Sequence, residues 1–268
     1  MEKKLYITEE IEITPNKLHR ILSRESEPIE DYHATGKLNI GILSMSRGGG
    51  ASFLTTSLAR FLANTREHFP TVIELGGDSI YDSIGMDKRF AGREFFNFYE
   101  ALEQGGGIRG KKNMDEGINW ILRVSGHKIH LEHEQKLRLI HGAPGDIVLC
   151  DLSGCEEEEL TLIQHMDQII FVIDPLPSGI LKGYDLFQRL NTMMKDEKII
   201  YVINKFNKGV NRRELQGFLQ IKKPIFMPMV NYQSIYTAEY LCKIPYSMDD
   251  IRSTIKDQLA LIVDRLSF

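Results

Sequence analysis

A glycine-rich segment between an apolar run and a helix-like segment has residue types suited to phosphate binding. The run Leu38-Asn39-Ile40-Gly41-Ile42-Leu43 precedes Ser46-Arg47-Gly48-Gly49-Gly50-Ala51-Ser52, and a periodic segment starts at Phe53. Glycine lets backbone N–H groups approach phosphate oxygens, and the positive end of a following helix adds to the attraction. The predicted phosphate contacts are Arg47, Gly48, Gly49, Gly50, Ala51, Ser52 and Phe53.

The segment lacks the lysine that phosphate loops normally carry. In the pattern G-x-x-x-x-G-K-[ST], the first glycine would stand at Met45 and the lysine at Ala51, while Ser52 keeps the Ser/Thr position. Arg47 is adjacent and is the candidate substitute for the missing charge. We therefore expect the architecture of a nucleotide-binding ATPase that has lost much of its catalytic chemistry.

A second candidate element is an acid at the end of an apolar run. Asp146-Ile147-Val148-Leu149-Cys150-Asp151 leads into Leu152-Ser153-Gly154. An acid at the carboxyl end of a buried strand beside a phosphate loop can hold Mg²⁺, and a nearby glycine N–H can meet the γ-phosphate. Asp151 and Gly154 are placed for these roles, with Ser52 as a further Mg²⁺ ligand. The alternative is that Asp151 caps the acidic helix that follows.

A third element is the run Ile199-Ile200-Tyr201-Val202-Ile203-Asn204, which ends in an amide. Ligands of open α/β sheets bind in the crevice at the carboxyl ends of the strands, where the Asn204 amide can meet a nucleobase edge. The competing interpretation is that Asn204 only favours a turn.

Short apolar runs alternate with longer amphipathic segments from Lys37 onward, which predicts a doubly wound, mostly parallel α/β sheet with helices on both faces. Residues 1–37 are polar and predict a leader, and 38–268 predict a single domain. Strand-like segments at 118–124 and 128–131 are interpreted as a hairpin or an edge addition. Further expected strands and helices, whose ends are uncertain by about 2–4 residues, are strands 38–44, 71–75, 146–151, 168–173, 198–204 and 224–229 and helices 52–64, 94–103, 133–141, 156–165, 179–194, 211–219, 233–241 and 249–266.

Taken in this order, the segments resemble the MinD/ParA family of deviant Walker A ATPases. The resemblance covers roughly 38–266 and includes Val72-Ile73-Glu74 at the switch I strand, Asp151-Leu152-Ser153-Gly154 at switch II and Val202-Ile203-Asn204-Lys205. The loop is most similar to that of the CpaE/TadZ group of Flp/Tad pilus assembly proteins. The resemblance implies ATP or ADP with Mg²⁺ as the cofactor and a homodimer that forms across the phosphate-loop face.

Departures from the family pattern limit what the resemblance implies. The family's signature lysine falls at Ser46, and its switch I acid pair reads Glu74-Leu75-Gly76, which loses the second, water-orienting acid. Asp78 is the nearest replacement. Since phosphoryl transfer depends on positioning and charge stabilisation, we expect inefficient hydrolysis. The alternative is a slow ATPase in which Arg47, Ser52, Asp151 and Asp78 act together.

The composition limits the classes of partner that we expect the protein to bind. The net charge of −4 and the pI near 6.1 argue against binding of nucleic acid by bulk electrostatics. The three cysteines form no even framework and the chain starts without an apolar signal segment, so we expect a cytoplasmic protein. Contact with the inner face of the membrane would be peripheral, through a pilus or secretion partner. The last segment, from Met248 to Leu266, is predicted to pack in the core rather than dock on a membrane, because acids dilute its basic face.

Overall fold

A computed structural model of the chain describes residues 36–77, 80–126, 129–154 and 157–267. Within these residues, eight strands form one sheet in the order β3-β4-β2-β5-β1-β6-β7-β8. All neighbours are parallel except β3, which pairs antiparallel with β4 at one edge. The strands are β1 (Leu38–Ser44), β2 (Pro70–Glu74), β3 (Met114–Asp115), β4 (Ile118–Ile121), β5 (Ile147–Asp151), β6 (Gln168–Ile173), β7 (Ile199–Phe206) and β8 (Ile225–Pro228).

Helices cover both faces of the sheet and form two apolar cores. The described α-helices are α1 (Ala51–Thr65), α2 (Ile80–Ser83), α3 (Met86–Arg89), α4 (Phe98–Glu103), α5 (His133–Gly142), α6 (Pro177–Met193), α7 (Arg212–Leu219), α8 (Tyr232–Tyr240) and α9 (Asp249–Val263). Short 3₁₀ helices occupy Glu157–His165, Asp196–Lys198 and Pro245–Ser247. One core holds side chains of α1, α2, α3, α8 and α9, and the other holds side chains of α4 to α7.

Successive side chains of a strand point to opposite faces of the sheet. Because helices cover both faces, the central strands carry apolar side chains on both. In β5, Leu149 belongs to the core under α1, whereas Val148 and Cys150 belong to the opposite core. Every residue of β5 and β6 is buried. The predicted doubly wound α/β fold is confirmed, and its carboxyl edge carries the candidate site.

The sequence left two alternatives for 118–124 and 128–131, a hairpin between them or an edge addition to the sheet, and the described residues do not form the hairpin. Residues 118–121 form β4, which adds to the sheet beside β2, and the described residues 129–131 form no strand. The antiparallel partner of β4 is instead the two-residue β3 that precedes it. The edge-addition interpretation of 118–124 is therefore confirmed for its first half.

The last helix packs in the core, as predicted from its charges. Its buried residues Ile251, Ile255, Leu259 and Ile262 lie in the core with α1 and α8, and Leu266 follows them. Among the described residues, no helix combines the length and apolar character that crossing a membrane requires. The predicted leader lies outside the described residues except for its last two positions.

Candidate nucleotide site

The glycine loop joins β1 to α1 at the carboxyl edge of the sheet. Met45 N donates to Val172 O of β6 (2.8 Å), and Gly49 N donates to Ser46 O (3.0 Å). Gly48 and Gly50 have φ values of +76° and +98°, a left-handed conformation that glycine adopts without steric cost. Helix α1 begins at Ala51, and the first N–H groups of a helix have no intrahelical partner. The loop therefore has the backbone geometry of an anion-binding nest.

Asn204, near the end of β7, holds the loop from one side. Its Nδ2 donates to Gly49 O (2.8 Å), and its side chain is buried. A Cβ on Gly50 would lie 2.2 Å from the same Nδ2, so a larger residue here would displace the Asn204 amide or the loop, and the φ of +98° also favours glycine. Asn204, which the sequence predicted to meet a nucleobase, thus supports the glycine loop, a contact that sequence reasoning missed.

Lys205 brings a cation to the loop from β7. Its Nζ donates to Gly48 O (2.8 Å) and to Asp174 Oδ2 (2.6 Å), which lies just beyond the end of β6. Lys205 has a φ of +54°, an uncommon conformation for a residue with a Cβ. The sequence predicted that this strand ends at residue 204, whereas β7 continues to Phe206 and includes Lys205. The strand order β1-β6-β7 brings the Lys205 side chain to the loop.

Asp151 ends β5 beside the start of α1 and is fully buried. Its Oδ1 accepts from Ser153 N (2.9 Å) and from the Ser153 hydroxyl, whereas its Oδ2 has no hydrogen-bond partner among the described residues. Burial raises the pKa of Asp151, although the nearby hydroxyls of Ser153 and Ser52 act in the opposite direction. A buried carboxylate oxygen without a partner, close to a serine at a helix start, fits a Mg²⁺ ligand set.

Glu74 ends the adjacent strand β2 and is used differently. Its Oε1 accepts from Ile80 N (2.8 Å) and its Oε2 accepts from Arg123 N (3.2 Å). The Tyr99 hydroxyl donates to the Glu74 carbonyl oxygen. The Glu74 carboxylate therefore joins two segments of backbone that are distant in sequence, one at Ile80 and one at Arg123.

The remaining predicted site residues occupy different surroundings. Arg47 is exposed on the loop, Ala51 is buried, and Phe53 is half-buried against the core under α1. Gly154 has a φ of +76°, and a Cβ on it would lie 3.7 Å from Gly76 O. Asp78 lies outside the described residues.

An apolar groove adjoins the loop on the side of Lys205. It has a volume of about 620 Å³ and lies between α6 and α7, with Asp174 and Lys205 at one end. Five of its lining side chains are large, hydrophobic and exposed, namely Leu176, Leu181, Phe218, Met229 and Tyr232. The loop and an exposed apolar surface are therefore neighbours.

Comparison with known proteins supports the assignment of the fold. No protein-family model and no curated protein matches the sequence. Among solved structures, MinD in the MinC:MinD complex of Aquifex aeolicus has a TM-score of 0.68 at 15% identity, over 86% of this chain and 97% of that one. A putative plasmid partition protein from Borrelia burgdorferi, bound to AMPPNP, has a TM-score of 0.65 at 19% identity, over 86% of this chain and 100% of that one.

The chain has the fold of the MinD/ParA P-loop ATPases. A third structure with this fold, MinD from Pyrococcus horikoshii, was solved with Mg-ADP and has a TM-score of 0.61 at 12% identity, over 86% of this chain and 100% of that one. In the MinD/ParA-type fold, the loop Gly48 to Ser52 and Asp151 lie together at the carboxyl edge of the sheet. The loop amides, Ser52 and Asp151 are placed so that they could hold a Mg-nucleotide.

Proposed function

We propose that this chain is a MinD/ParA-like spatial or assembly factor whose degenerate site binds ATP or ADP with Mg²⁺ weakly and hydrolyses it little or not at all. The observation that carries the proposal is the Oδ2 atom of Asp151, which is buried beside the loop of Gly48 to Ser52 and has no hydrogen-bond partner within residues 36–77, 80–126, 129–154 and 157–267. A buried, unsatisfied carboxylate oxygen is costly, and a bound cation would satisfy it.

Low turnover follows from the residues that the site lacks. Neither Ser46 nor Ala51 offers a cation to the transferring phosphate, and the Glu74 carboxylate is engaged by Ile80 N and Arg123 N. Phosphoryl transfer depends on such charges, and one well-placed cation alone is worth a factor of about 10³–10⁵ in rate. In this proposal the bound nucleotide has a structural role, in that it stabilises the folded chain rather than being turned over.

The proposed role is interaction. A homodimer across the phosphate-loop face, together with a docked component of a Tad-type pilus or secretion system, is the assembly that we propose from the resemblance to CpaE/TadZ proteins. The exposed apolar side chains of the α6–α7 groove support an interacting surface beside the loop. Such a factor would be cytoplasmic and would reach the inner face of the membrane through its partner.

Calorimetric titration of the full chain with ATP and ADP in Mg²⁺, with light scattering for mass, tests the nucleotide part. We expect weak binding that needs Mg²⁺, is lost in Asp151→Ala and releases little phosphate. Binding that is the same in Asp151→Ala, or the same in EDTA, would contradict the proposed site. The assembly part predicts a dimer, and a monomer at all concentrations with and without nucleotide would contradict it.

A slow ATPase that switches between monomer and dimer is the second candidate. The same unpartnered Asp151 Oδ2 favours it, since an intact Mg²⁺ ligand is what turnover needs. Phosphate release that depends on Mg²⁺ and disappears in Asp151→Ala would favour this candidate over the assembly factor. DNA binding is disfavoured by the charge of −4, and retardation of duplex DNA at low salt would contradict that view.

A further inference from the structure

Ser153 binds one oxygen of the Asp151 carboxylate with two donors. Its N–H donates to Asp151 Oδ1 (2.9 Å), and its hydroxyl donates to the same oxygen. Asp151 Oδ2 is buried, and no described residue gives it a hydrogen bond. Because both donors of Ser153 bind Oδ1, they hold the carboxylate in place while they leave Oδ2 as its open acceptor.

The Ser153 hydroxyl also joins the end of β5 to the start of α1. It lies 3.4 Å from the hydroxyl of Ser52, the second residue of α1, in a long hydrogen bond that spans 101 residues of sequence. An ionised carboxylate only accepts hydrogen bonds, so the single hydroxyl proton of Ser153 is donated to Asp151, and the Ser52 hydroxyl donates to Ser153. Ser52, Ser153 and Asp151 therefore form one hydrogen-bond chain with a fixed direction.

This direction suits a cation, because a cation binds the lone pairs of oxygen. The Ser52 proton is directed at Ser153, which leaves lone pairs of the Ser52 oxygen free of hydrogen, and Asp151 Oδ2 also keeps its lone pairs. Mg²⁺ binds oxygen at about 2.0–2.1 Å and demands near-ideal octahedral geometry, so the orientation of each ligand affects affinity. Both serines are half-buried, so an ion from solvent can reach them.

We propose that Ser153 is the positioning residue of a divalent-cation site formed by Ser52 and Asp151, and that it aligns these two ligands before a nucleotide binds. The hydrogen-bond chain consists of protein atoms alone, so the free protein should take up a divalent cation by itself. This inference rests on the proposed nucleotide site and adds to it a cation that binds first.

Electron paramagnetic resonance of Mn²⁺ titrated into the full chain without nucleotide tests this proposal, because Mn²⁺ takes the same oxygen ligands as Mg²⁺. We expect binding of Mn²⁺ that is lost in Asp151→Asn. Ser153→Ala should weaken this binding about tenfold, since the loss of a hydrogen-bond partner of a metal ligand typically costs about 10–100-fold in affinity. Ser153→Thr keeps the hydroxyl and should stay within a few-fold of the wild type. The control Ser178→Ala removes an exposed hydroxyl of α6 and should change nothing.

The variants separate this role from a purely structural one. If Ser153 only stabilised the backbone after β5, Ser153→Ala would lower the Tm and leave the Mn²⁺ affinity of the folded protein unchanged, which would overturn the proposal. Equal weakening by Ser153→Ala and Ser153→Thr would overturn it too, because the hydroxyl would then not be the group that matters. If Ser153→Ala does not fold, Ser153→Cys takes its place, since a thiol is a weaker donor, and wild-type affinity in that variant would contradict the proposal.

The proposed function fails separately. Mn²⁺ that binds the wild type only when ADP is present would overturn the alignment before nucleotide binding and leave the nucleotide site standing. Binding of Mn²⁺ alone, with no binding of ADP or ATP at millimolar concentration, would support the cation site and overturn nucleotide binding. No binding of Mn²⁺ with or without ADP would overturn both proposals.

Discussion

Glu74 and Asp151 are neighbours in the register of β2 and β5, and both side chains are fully buried at the carboxyl ends of their strands. The Glu74 carboxylate accepts from backbone N–H groups with both oxygens. The Asp151 carboxylate leaves Oδ2 without a hydrogen-bond partner in the part of the chain that the structure describes. Two acids in equivalent positions therefore differ in whether both carboxylate oxygens accept hydrogen bonds. The one with an oxygen that accepts none, Asp151, lies beside the glycine loop.

This difference separates a structural acid from a candidate ligand acid. Buried polar groups in native proteins are nearly always hydrogen-bonded, so an exception beside a glycine loop is a candidate for contact with a bound water or cation. The backbone around the two acids is shared, since Leu75 N and Gly76 N both donate to Asp151 O (2.9 and 3.1 Å). The two acids differ in their side-chain partners, so substitutions of single side chains can test the comparison.

Glu74→Ala should have the largest effect. The substitution leaves Ile80 N and Arg123 N without their acceptor and opens a cavity, so we expect a loss of about 3 kcal/mol or more in the free energy of unfolding. Urea unfolding measures it. The control Glu74→Gln retains an acceptor and should lose less; an unchanged free energy in Glu74→Ala would show that Glu74 is not the structural acid.

Tyr99→Phe should have a smaller effect of the same sign. The hydroxyl is buried and donates to the Glu74 carbonyl oxygen, so its removal should cost about 1–2 kcal/mol of stability. Nucleotide affinity should not change, because the contact belongs to the structural acid. The matched control is Tyr240→Phe, since that tyrosine is 84% exposed; equal effects of the two substitutions would contradict this assignment.

The architecture was predictable because central parallel strands are buried on both faces and read as continuous apolar runs. The strands at 38–44 and 168–173 were predicted with the bounds that the structure has. The two-residue β3 was not, because Met114 and Asp115 are too few to produce a pattern. Of the two alternatives for 118–124, the hairpin therefore had the wrong partner, and the edge addition is the one that the structure shows for 118–121.

The site was predictable in its motifs but not in its side-chain partners. Asp151 and the glycines follow from local order along the chain, whereas the contacts of Glu74 with Ile80 N and Arg123 N depend on how distant segments pack. Lys205 illustrates the same limit, since its contact with Gly48 O spans 157 residues of sequence. Tertiary packing decided which polar residues became structural.

Asp151→Asn should have the smallest effect, and the opposite sign. Because burial raises the pKa of Asp151, the folded state binds more protons than the unfolded state, and stability falls as the pH rises above the ordinary carboxyl range. Removing the charge should therefore stabilise the free protein at neutral pH by about 1 kcal/mol, or roughly 2–4 °C in Tm. This advantage should vanish at a pH where the carboxyl is protonated in both states.

The central claim, that Asp151 is kept unsatisfied for a Mg-nucleotide, is tested most directly by the Tm of wild type and Asp151→Asn at neutral pH, with and without millimolar Mg-ADP. The account predicts that Asp151→Asn has the higher Tm without ligand, and that Mg-ADP raises the Tm of the wild type only. A lower Tm for Asp151→Asn without ligand, or an equal rise in both proteins with Mg-ADP, would contradict it.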